Sequence, residues 1–139
     1  MLIGEYAHSL DTKGRVNFPA KLREGLGAHF FITKGLDGCL FVYPEEEWKV
    51  LEEKIRQLPM SKGRKLQRFF FAGAAELEPD KQGRVLIPPS LREYAGLDRD
   101  VMIVGTLVRA EIWDKQRWED SCSELTADMV AEAMDELEF

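Results

Sequence analysis

The stretch DTKGRVNFPAKLREGLG, residues 11–27, returns later in the chain as DKQGRVLIPPSLREYAG, residues 80–96. When the second copy is moved back by 69 positions, nine of the seventeen residues are identical. The identical pairs are Asp11/Asp80, Gly14/Gly83, Arg15/Arg84, Val16/Val85, Pro19/Pro88, Leu22/Leu91, Arg23/Arg92, Glu24/Glu93 and Gly27/Gly96. Agreement of this extent identifies an internal duplication, so we expect a fold built from two copies of one unit.

Each copy begins with an Asp-x-x-Gly-Arg element, which predicts a tight hairpin turn. The aspartate can accept hydrogen bonds from backbone N–H groups within the turn, and the glycine can adopt the left-handed conformation that closes a bulged hairpin. We assign this turn-forming role to Asp11, Gly14, Asp80 and Gly83. Each turn then presents a lysine at its tip and the arginine that begins the returning strand: Lys13, Arg15, Lys81 and Arg84.

The same order of signals surrounds both turns. A short strand precedes the turn, and a second strand, a short helix and two β-rich runs follow it. A unit of roughly 45 residues can hardly bury its own apolar face, so it needs its twin. The sequence therefore predicts an α+β fold, mainly β. In this fold the two hairpin units interleave about a pseudo-two-fold axis into one small β-barrel, with helices packed outside.

Apolar residues at helical spacing predict helices between and after the two units. Trp48, Leu51, Ile55 and Leu58 give one apolar face between them, and the C-terminal segment carries a narrow stripe of Leu125, Met129, Ala133 and Leu137. We divide the chain accordingly into a first repeat at 5–47, a helical connector at 48–75, a second repeat at 76–119 and an acidic C-terminal helix at 120–139.

The charge of the chain is unevenly distributed. The net charge of -6 argues at first against a nucleic-acid partner, because phosphates favour Lys and Arg. However, the last 21 residues contain eight of the 25 acids and none of the 19 bases. Residues 1–118 therefore carry a net charge of +2, and the tail is strongly acidic. Such asymmetry is typical of a partner-binding body with an accessory segment.

Several classes of function find no support in the sequence. The N-terminus lacks a charged stretch followed by an apolar run, and no segment approaches the roughly 18 apolar residues that span a bilayer. We therefore expect a cytoplasmic protein without a membrane partner. Cys39 and Cys122 form neither a disulfide framework nor a metal-ligand set. His8 and His29 stand alone, and no phosphate-binding loop or nucleophile motif occurs, so we expect no catalytic residue, metal or cofactor.

Two roles are open for Arg15 and Arg84. Each can form an ion pair with the aspartate four residues before it, although an exposed pair of this kind contributes only about 0–1 kcal/mol. Alternatively, a guanidinium on a rigid hairpin can bind guanine O6 and N7 in a bidentate manner, or pair with a phosphate. Further bases could be solvated or contact phosphate, and those between the repeats could also contact the acidic tail of another subunit. They are Lys21, Arg23, Arg92, Lys62, Arg64, Lys65 and Arg68.

The doubled motif carries a family resemblance over nearly the whole chain. Each Asp-x-x-x-Arg element precedes Val-x-(Phe/Ile)-Pro, and the QRFFFAGAAE run at 67–76 lies between the copies. This arrangement resembles the MraZ family of bacterial transcriptional regulators, whose repeats are similar to the swapped-hairpin domains of the AbrB and MazE type. The resemblance implies a nucleoid-associated protein that binds repeated boxes in double-stranded DNA upstream of its own division and cell-wall gene cluster. It also implies a closed homo-oligomeric ring, with Arg15 and Arg84 contacting the DNA.

Two other function classes remain beside DNA binding. The tail at 123–139 is acidic and amphipathic, which suits an antitoxin-like module that docks in a partner's groove. Antitoxins of this domain type usually carry one repeat, however, whereas this chain carries two. Catalysis is disfavoured because the carboxylates of Asp11, Asp80 and the run at 45–47 have no accompanying catalytic motif.

Overall fold

A computed structural model describes residues 1–138. Within them the strands are β1 (Leu2–Ser9), β2 (Arg15–Asn17), β3 (Phe30–Lys34), β4 (Leu40–Pro44), β5 (Ala75–Leu77), β6 (Arg84–Leu86), β7 (Asp100–Leu107) and β8 (Ala110–Asp114). The helices are α1 (Ala20–Leu26), α2 (Glu45–Arg56), α3 (Met60–Leu66), α4 (Pro89–Ala95), α5 (Lys115–Glu124) and α6 (Ala127–Met134). A π-helical turn, Gln67–Phe71, continues α3, and a 3-10 turn, Asp135–Leu137, follows α6. None of these helices is long and apolar enough to cross a membrane.

The strand order is the same when the two repeats are exchanged. Six strands form one antiparallel sheet in the order β1-β7-β8-β4-β3-β5. When each strand is replaced by its counterpart in the other repeat (β1 and β5, β3 and β7, β4 and β8), the same order is obtained, read from the opposite edge. The outer pairs each join the two repeats, since β1 pairs with β7 and β5 pairs with β3. The remaining strands, β2 and β6, form a separate ladder centred on Val16 opposite Val85. The duplication therefore governs the topology.

The sheet differs from the small β-barrel that the sequence predicts. Its hydrogen bonding ends at β1 and β5, so the six-stranded sheet is open. The physical reason lies in the two turns, at 11–14 and 80–83, which interrupt the ladder after each edge strand. Among the described residues, β2 and β6 then pair over only three residues, and only with each other. The fold is a mixed α and β architecture in which interleaved strands form one open sheet and one short ribbon.

The two faces of the large sheet cover different apolar layers. Leu40 and Val42 of β4 point into a layer that also contains the valines of β2 and β6 and the leucines of α1 and α4. Phe41 and Tyr43, which alternate with them, point into an aromatic layer beneath α2, the π-helical turn and α5. We call the first face the turn side and the second the helix side. The duplicated turns and the outer helices therefore lie on opposite sides of the sheet.

The acidic C-terminal segment is not the single helix predicted for 120–139. Helix α5 ends at Glu124, Leu125 is extended, and α6 begins after Thr126. The break has a local cause, because the Thr126 hydroxyl accepts a hydrogen bond from the N–H of Met129 and so caps a new helix. Residue 139 of the predicted segment lies outside the described residues.

Candidate nucleic-acid interface

The first duplicated turn is held by the carboxylate of Asp11. Its Oδ1 accepts hydrogen bonds from the backbone N–H groups of Lys13 and Arg15, both at 2.9 Å. The Gly14 N–H donates to the Asp11 carbonyl at 3.0 Å, and the Asp11 N–H donates to the Arg15 carbonyl at 2.9 Å. Gly14 has a φ of 84°, a conformation that side chains rarely tolerate. Aspartate and glycine at these positions thus account for the shape of the turn.

The second turn repeats this geometry almost atom for atom. Asp80 Oδ1 accepts from the N–H groups of Gln82 and Arg84, both at 2.9 Å, and Gly83 has a φ of 79°. The lysines of the two turns do not correspond, because Lys13 aligns with Gln82 and Lys81 aligns with Thr12. Both lysines are exposed. The turn backbone is therefore duplicated, whereas the placement of its tip charge is not.

Each turn arginine makes a side-chain ion pair with its own turn aspartate. The Nε of Arg15 donates to Asp11 Oδ2 at 2.7 Å, and the Nε of Arg84 donates to Asp80 Oδ2 at 2.9 Å. Both of these side-chain bonds are made by Nε. The two Nη groups of each guanidinium make no hydrogen bond to any described residue. The arginine side chains are 32% and 30% exposed. The aspartate therefore orients a guanidinium whose outer edge stays open to solvent.

The hydrogen bonds to Asp11 also fix its charge. The N–H of Arg15, followed by its guanidinium and the N–H of Lys13, lowers the pKa of Asp11 to about 2. The same contacts from Arg84 and Gln82 lower the pKa of Asp80. Both carboxylates are ionised at neutral pH, so each turn retains the acceptor that its backbone and its arginine require.

The β2–β6 ladder places the two arginines on one surface. Arg15 lies opposite Leu86, and Arg84 lies opposite Asn17, with Val16 and Val85 between them. Because side chains alternate along a strand, the buried valines point to one face of the ladder and both arginines point to the other. Residues in this diagonal relation have Cα atoms about 7–8 Å apart. The two guanidiniums therefore belong to a single compact site.

Backbone hydrogen bonds between the repeats connect the two turns. The N–H of Phe18 in the first repeat donates to the Gly83 carbonyl at 2.9 Å. Symmetrically, the N–H of Ile87 donates to the Gly14 carbonyl at 3.0 Å. Each turn glycine is thus bonded by the strand end of the opposite repeat, which fixes the two turns relative to each other.

Arg23 and Arg92 strengthen this exchange between the repeats. Each Nε donates to a carbonyl of its own repeat at 3.0 Å, Phe18 for Arg23 and Ile87 for Arg92. Each guanidinium then lies against the turn glycine of the other repeat. A Cβ on Gly14 would stand 2.5 Å from Cζ of Arg92, and a Cβ on Gly83 would stand 2.9 Å from Cζ of Arg23. The second pair of arginines therefore packs directly beneath the turns.

From the sequence, Arg23 and Arg92 are expected to be solvated or to contact phosphate. Their position under the opposite turn depends on the pairing of the two repeats, which spacing within one repeat does not reveal. A usable signal was present, since both arginines belong to the identical pairs of the duplication. The bases of α3 and of the π-helical turn, in contrast, lie on the helix side, where Leu66 and Phe69 pack against the aromatic layer. The structure brings together the four duplicated arginines and separates them from α3.

The other titratable side chains of the described residues can be compared with known kinds of site. Within residues 1–138, no group of three or more His, Cys, Asp or Glu residues is arranged to hold a metal ion. Burial raises the pKa of the Cys39 thiol to about 12, so this thiol is protonated at neutral pH. His29 contacts Glu45 and Glu76 at 3.3 and 3.7 Å. The duplicated turns are thus the most distinctive polar arrangement in the described part of the chain.

Comparison with known proteins identifies similar chains over the full fold. The family model described as "MraZ protein, putative antitoxin-like" matches residues 1–68 and 70–138. A transcriptional regulator MraZ of Acetivibrio thermocellus is 56% identical over 138 residues, 96% of each chain. The Clostridium beijerinckii protein of the same name is 53% identical over 140 residues, 99% of each chain. Another, from Heliobacterium modesticaldum, is 59% identical over 120 residues, 85% of this chain and 84% of the relative.

Proposed function

The chain belongs to the MraZ family and is a transcriptional regulator, and we propose that it acts by binding double-stranded DNA through its two duplicated turns. Arg15 and Arg84 contact the DNA, and Lys13 and Lys81 add charge at the tips. The targets are repeated short boxes upstream of the division and cell-wall gene cluster that contains its own gene. The protein accordingly works in the cytoplasm, on the nucleoid, and has no catalytic step.

The main support for this proposal is that two guanidiniums lie on one rigid surface, each bonded through Nε and with both Nη groups available to a ligand. Each is oriented through Nε by an aspartate, at 2.7 Å for Arg15 and 2.9 Å for Arg84. The two Nη groups stay free to donate hydrogen bonds to guanine O6 and N7 or to a phosphate. An exposed ion pair contributes about 0–1 kcal/mol to stability. Orientation of the arginine for a ligand explains the duplicated pair better than stability does.

The spacing of the arginines suits one short box. Successive bases along one DNA strand are about 3.4 Å apart, so a Cα separation of about 7–8 Å corresponds to about two base steps. Both arginines of one chain can therefore address the same few base pairs. Arg23 and Arg92 support the two turns from below and add positive charge close to the same phosphates.

One chain offers too little charge for tight binding. Residues 1–118 carry a net charge of only +2, and four turn bases neutralise about four phosphates. Repeated boxes solve this problem if several copies bind them together, because linked weak sites gain affinity through effective concentration. We therefore propose a closed homo-oligomeric ring with the turns facing the DNA.

The duplicated architecture suits this role. The first repeat, 5–47, and the second, 76–119, interleave their strands in the manner of swapped hairpins. The connector at 48–75 and the described part of the acidic segment, 120–138, lie outside the turn pair. The exchanged backbone bonds at Gly14 and Gly83 support a single functional unit, because neither turn is complete without the other repeat.

The proposed function is tested by a gel shift on the DNA upstream of the protein's own gene. We expect binding in steps that disappear one at a time as individual boxes are deleted, and a steep decline of affinity with salt. A scrambled duplex of equal length and composition is the control. Equal affinity for the scrambled and native duplexes would contradict the proposal.

A further inference from the structure

The acidic C-terminal segment presents an apolar face that nothing in the described chain covers. Leu125, Met129 and Leu137 are 60%, 52% and 64% exposed, and Val130 and Met134 beside them are also exposed. Met129, Val130, Met134 and Leu137 recur at helical spacing along α6 and the turn after it, and Leu125 lies just before the helix. We call these five residues the tail stripe. Six of the eight acids of residues 119–138 lie in the same short segment, between Glu124 and Glu138. Exposed apolar residues among acids are complementary to an apolar surface that carries basic residues.

Helix α3 and the π-helical turn after it provide a surface of that kind. Lys62, Arg64, Lys65 and Arg68 are all exposed, and none makes an ion pair with a described residue. We call these four residues the basic strip. Met60 and Leu58 are exposed beside it. A groove of about 270 Å³ opens next to it, between α2 and the π-helical turn, and Ile55 and Phe71 line that groove.

Helix α5, which leads to the tail stripe, and the π-helical turn, which carries Arg68 of the basic strip, lie over opposite ends of the same sheet. Helix α5, which leads to the tail, packs on β7 and β8, and its Trp118 donates to Glu5 of β1 at 2.9 Å. The π-helical turn that follows α3 lies over β3, where the Thr33 hydroxyl donates to the Phe70 carbonyl. Because β1 and β3 are four strand positions apart, the two ends are about 19 Å apart.

From this placement we propose that the tail stripe of one copy docks against the basic strip and its groove on a second copy of the chain. Two different surfaces at opposite ends of one molecule form a heterologous, head-to-tail contact, which builds rings or filaments. The proposal deepens the assembly proposed above, on which it rests, and does not depend on DNA binding. The basic strip lies on the helix side, so its use by a neighbouring subunit leaves the turns free.

Charge exchange between full-length variants tests this contact. The first variant reverses the strip with Lys62→Glu, Arg64→Glu, Lys65→Glu and Arg68→Glu. The second reverses the tail with Glu124→Lys, Asp128→Lys, Glu132→Lys and Glu136→Lys. The matched control reverses three exposed lysines on the turn side, Lys13→Glu, Lys21→Glu and Lys81→Glu. Mass is measured by light scattering after size exclusion at about 0.1 M salt, where the Debye length is about 10 Å.

We expect each reversed variant alone to fall to the mass of a single chain, while the control keeps the mass of the unchanged protein. An equimolar mixture of the two variants should regain the assembled mass, because every tail then meets a strip of opposite charge. That recovery excludes misfolding of either variant. The proposal is overturned if the strip variant keeps the assembled mass, even if that variant loses DNA affinity. It is also overturned if the mixture of the two variants stays monomeric. An unchanged protein that is monomeric contradicts the proposed ring as well.

Discussion

The two duplicated turns have the same backbone and different tips. In both, one aspartate oxygen accepts two N–H groups at 2.9 Å, and a glycine in the left-handed region follows. At the two positions between them, the first turn has Thr12-Lys13 and the second has Lys81-Gln82. This difference separates the residues that the turn requires from those that can vary. Aspartate, glycine and arginine determine the position of the guanidinium, whereas either middle position can carry the lysine.

The strands that lead into the turns differ more than the turns themselves. Strand β1 pairs with β7 over eight residues, whereas β5 pairs with β3 over three. The first turn is therefore approached by a long ladder and the second by a short one. The contacts across the repeats are nevertheless the same at both turns, since Gly83 accepts from the Phe18 N–H and Gly14 from the Ile87 N–H.

The largest difference between the turns is expected when their glycines are substituted. Gly14→Ala places a side chain at a φ of 84° and a Cβ 2.5 Å from Arg92, so it should lower the free energy of unfolding by about 1–3 kcal/mol. Gly83→Ala should cost less, because its Cβ would stand 2.9 Å from Arg23. Urea denaturation measures both. Gly73→Ala is the control, since Gly73 has ordinary contacts, and a Gly14→Ala protein as stable as this control would contradict the turn geometry.

A smaller effect on stability is expected when an arginine beneath a turn is replaced. The effect should be seen in the turn of the opposite repeat, on which that arginine packs. Arg92→Ala removes the guanidinium that packs on Gly14, and loss of its hydrogen bond to Ile87 should cost about 1 kcal/mol. Hydrogen exchange should therefore become roughly fivefold faster at the amides of Gly14 and Arg15. The amides of the second turn serve as the internal control. Faster exchange at Gly83 alone would show that the arginine supports its own repeat.

The smallest effect is expected from moving the tip lysine of the first turn. The double change Thr12→Lys with Lys13→Gln gives the first turn the sequence of the second at these positions. Because the charge is preserved and both positions are exposed, DNA affinity should change by less than about twofold. Replacing both Lys13 and Lys81 by Gln should instead reduce the slope of log K against log salt by about one per lysine. A large loss of affinity in the double change would mean that each lysine has a fixed partner.

The sequence predicts local features of this molecule better than those that depend on pairing between the repeats. The hydrogen bonds within the first turn follow from residue type and position, because the N–H groups that donate to Asp11 all lie within five residues of it. The packing of Arg92 on Gly14 requires knowledge of how the repeats interleave. The open sheet, where the sequence predicts a barrel, is another consequence of pairing, since the three-residue β2–β6 ladder ends before it reaches the edge strands.

The helix break in the tail could have been predicted from Thr126, but the regular spacing of the apolar residues favoured one continuous helix. Leu125, Met129, Ala133 and Leu137 have continuous helical spacing, which predicts one helix. Thr126, however, is a favourable N-cap residue, and its hydroxyl begins α6 in the structure. The spacing of apolar residues identifies the exposed face, and the capping residue determines where the helix begins.

We propose that Arg15 and Arg84 contact DNA together, as one compact site. The most direct test is the affinity of the Arg15→Ala, Arg84→Ala and doubly substituted proteins for DNA with native boxes, with Lys21→Ala as the control. Each single change should cost about 1–3 kcal/mol of binding free energy, and the double change should abolish specific binding while the assembled mass stays constant. Specific binding by the doubly substituted protein at unchanged affinity would contradict the claim.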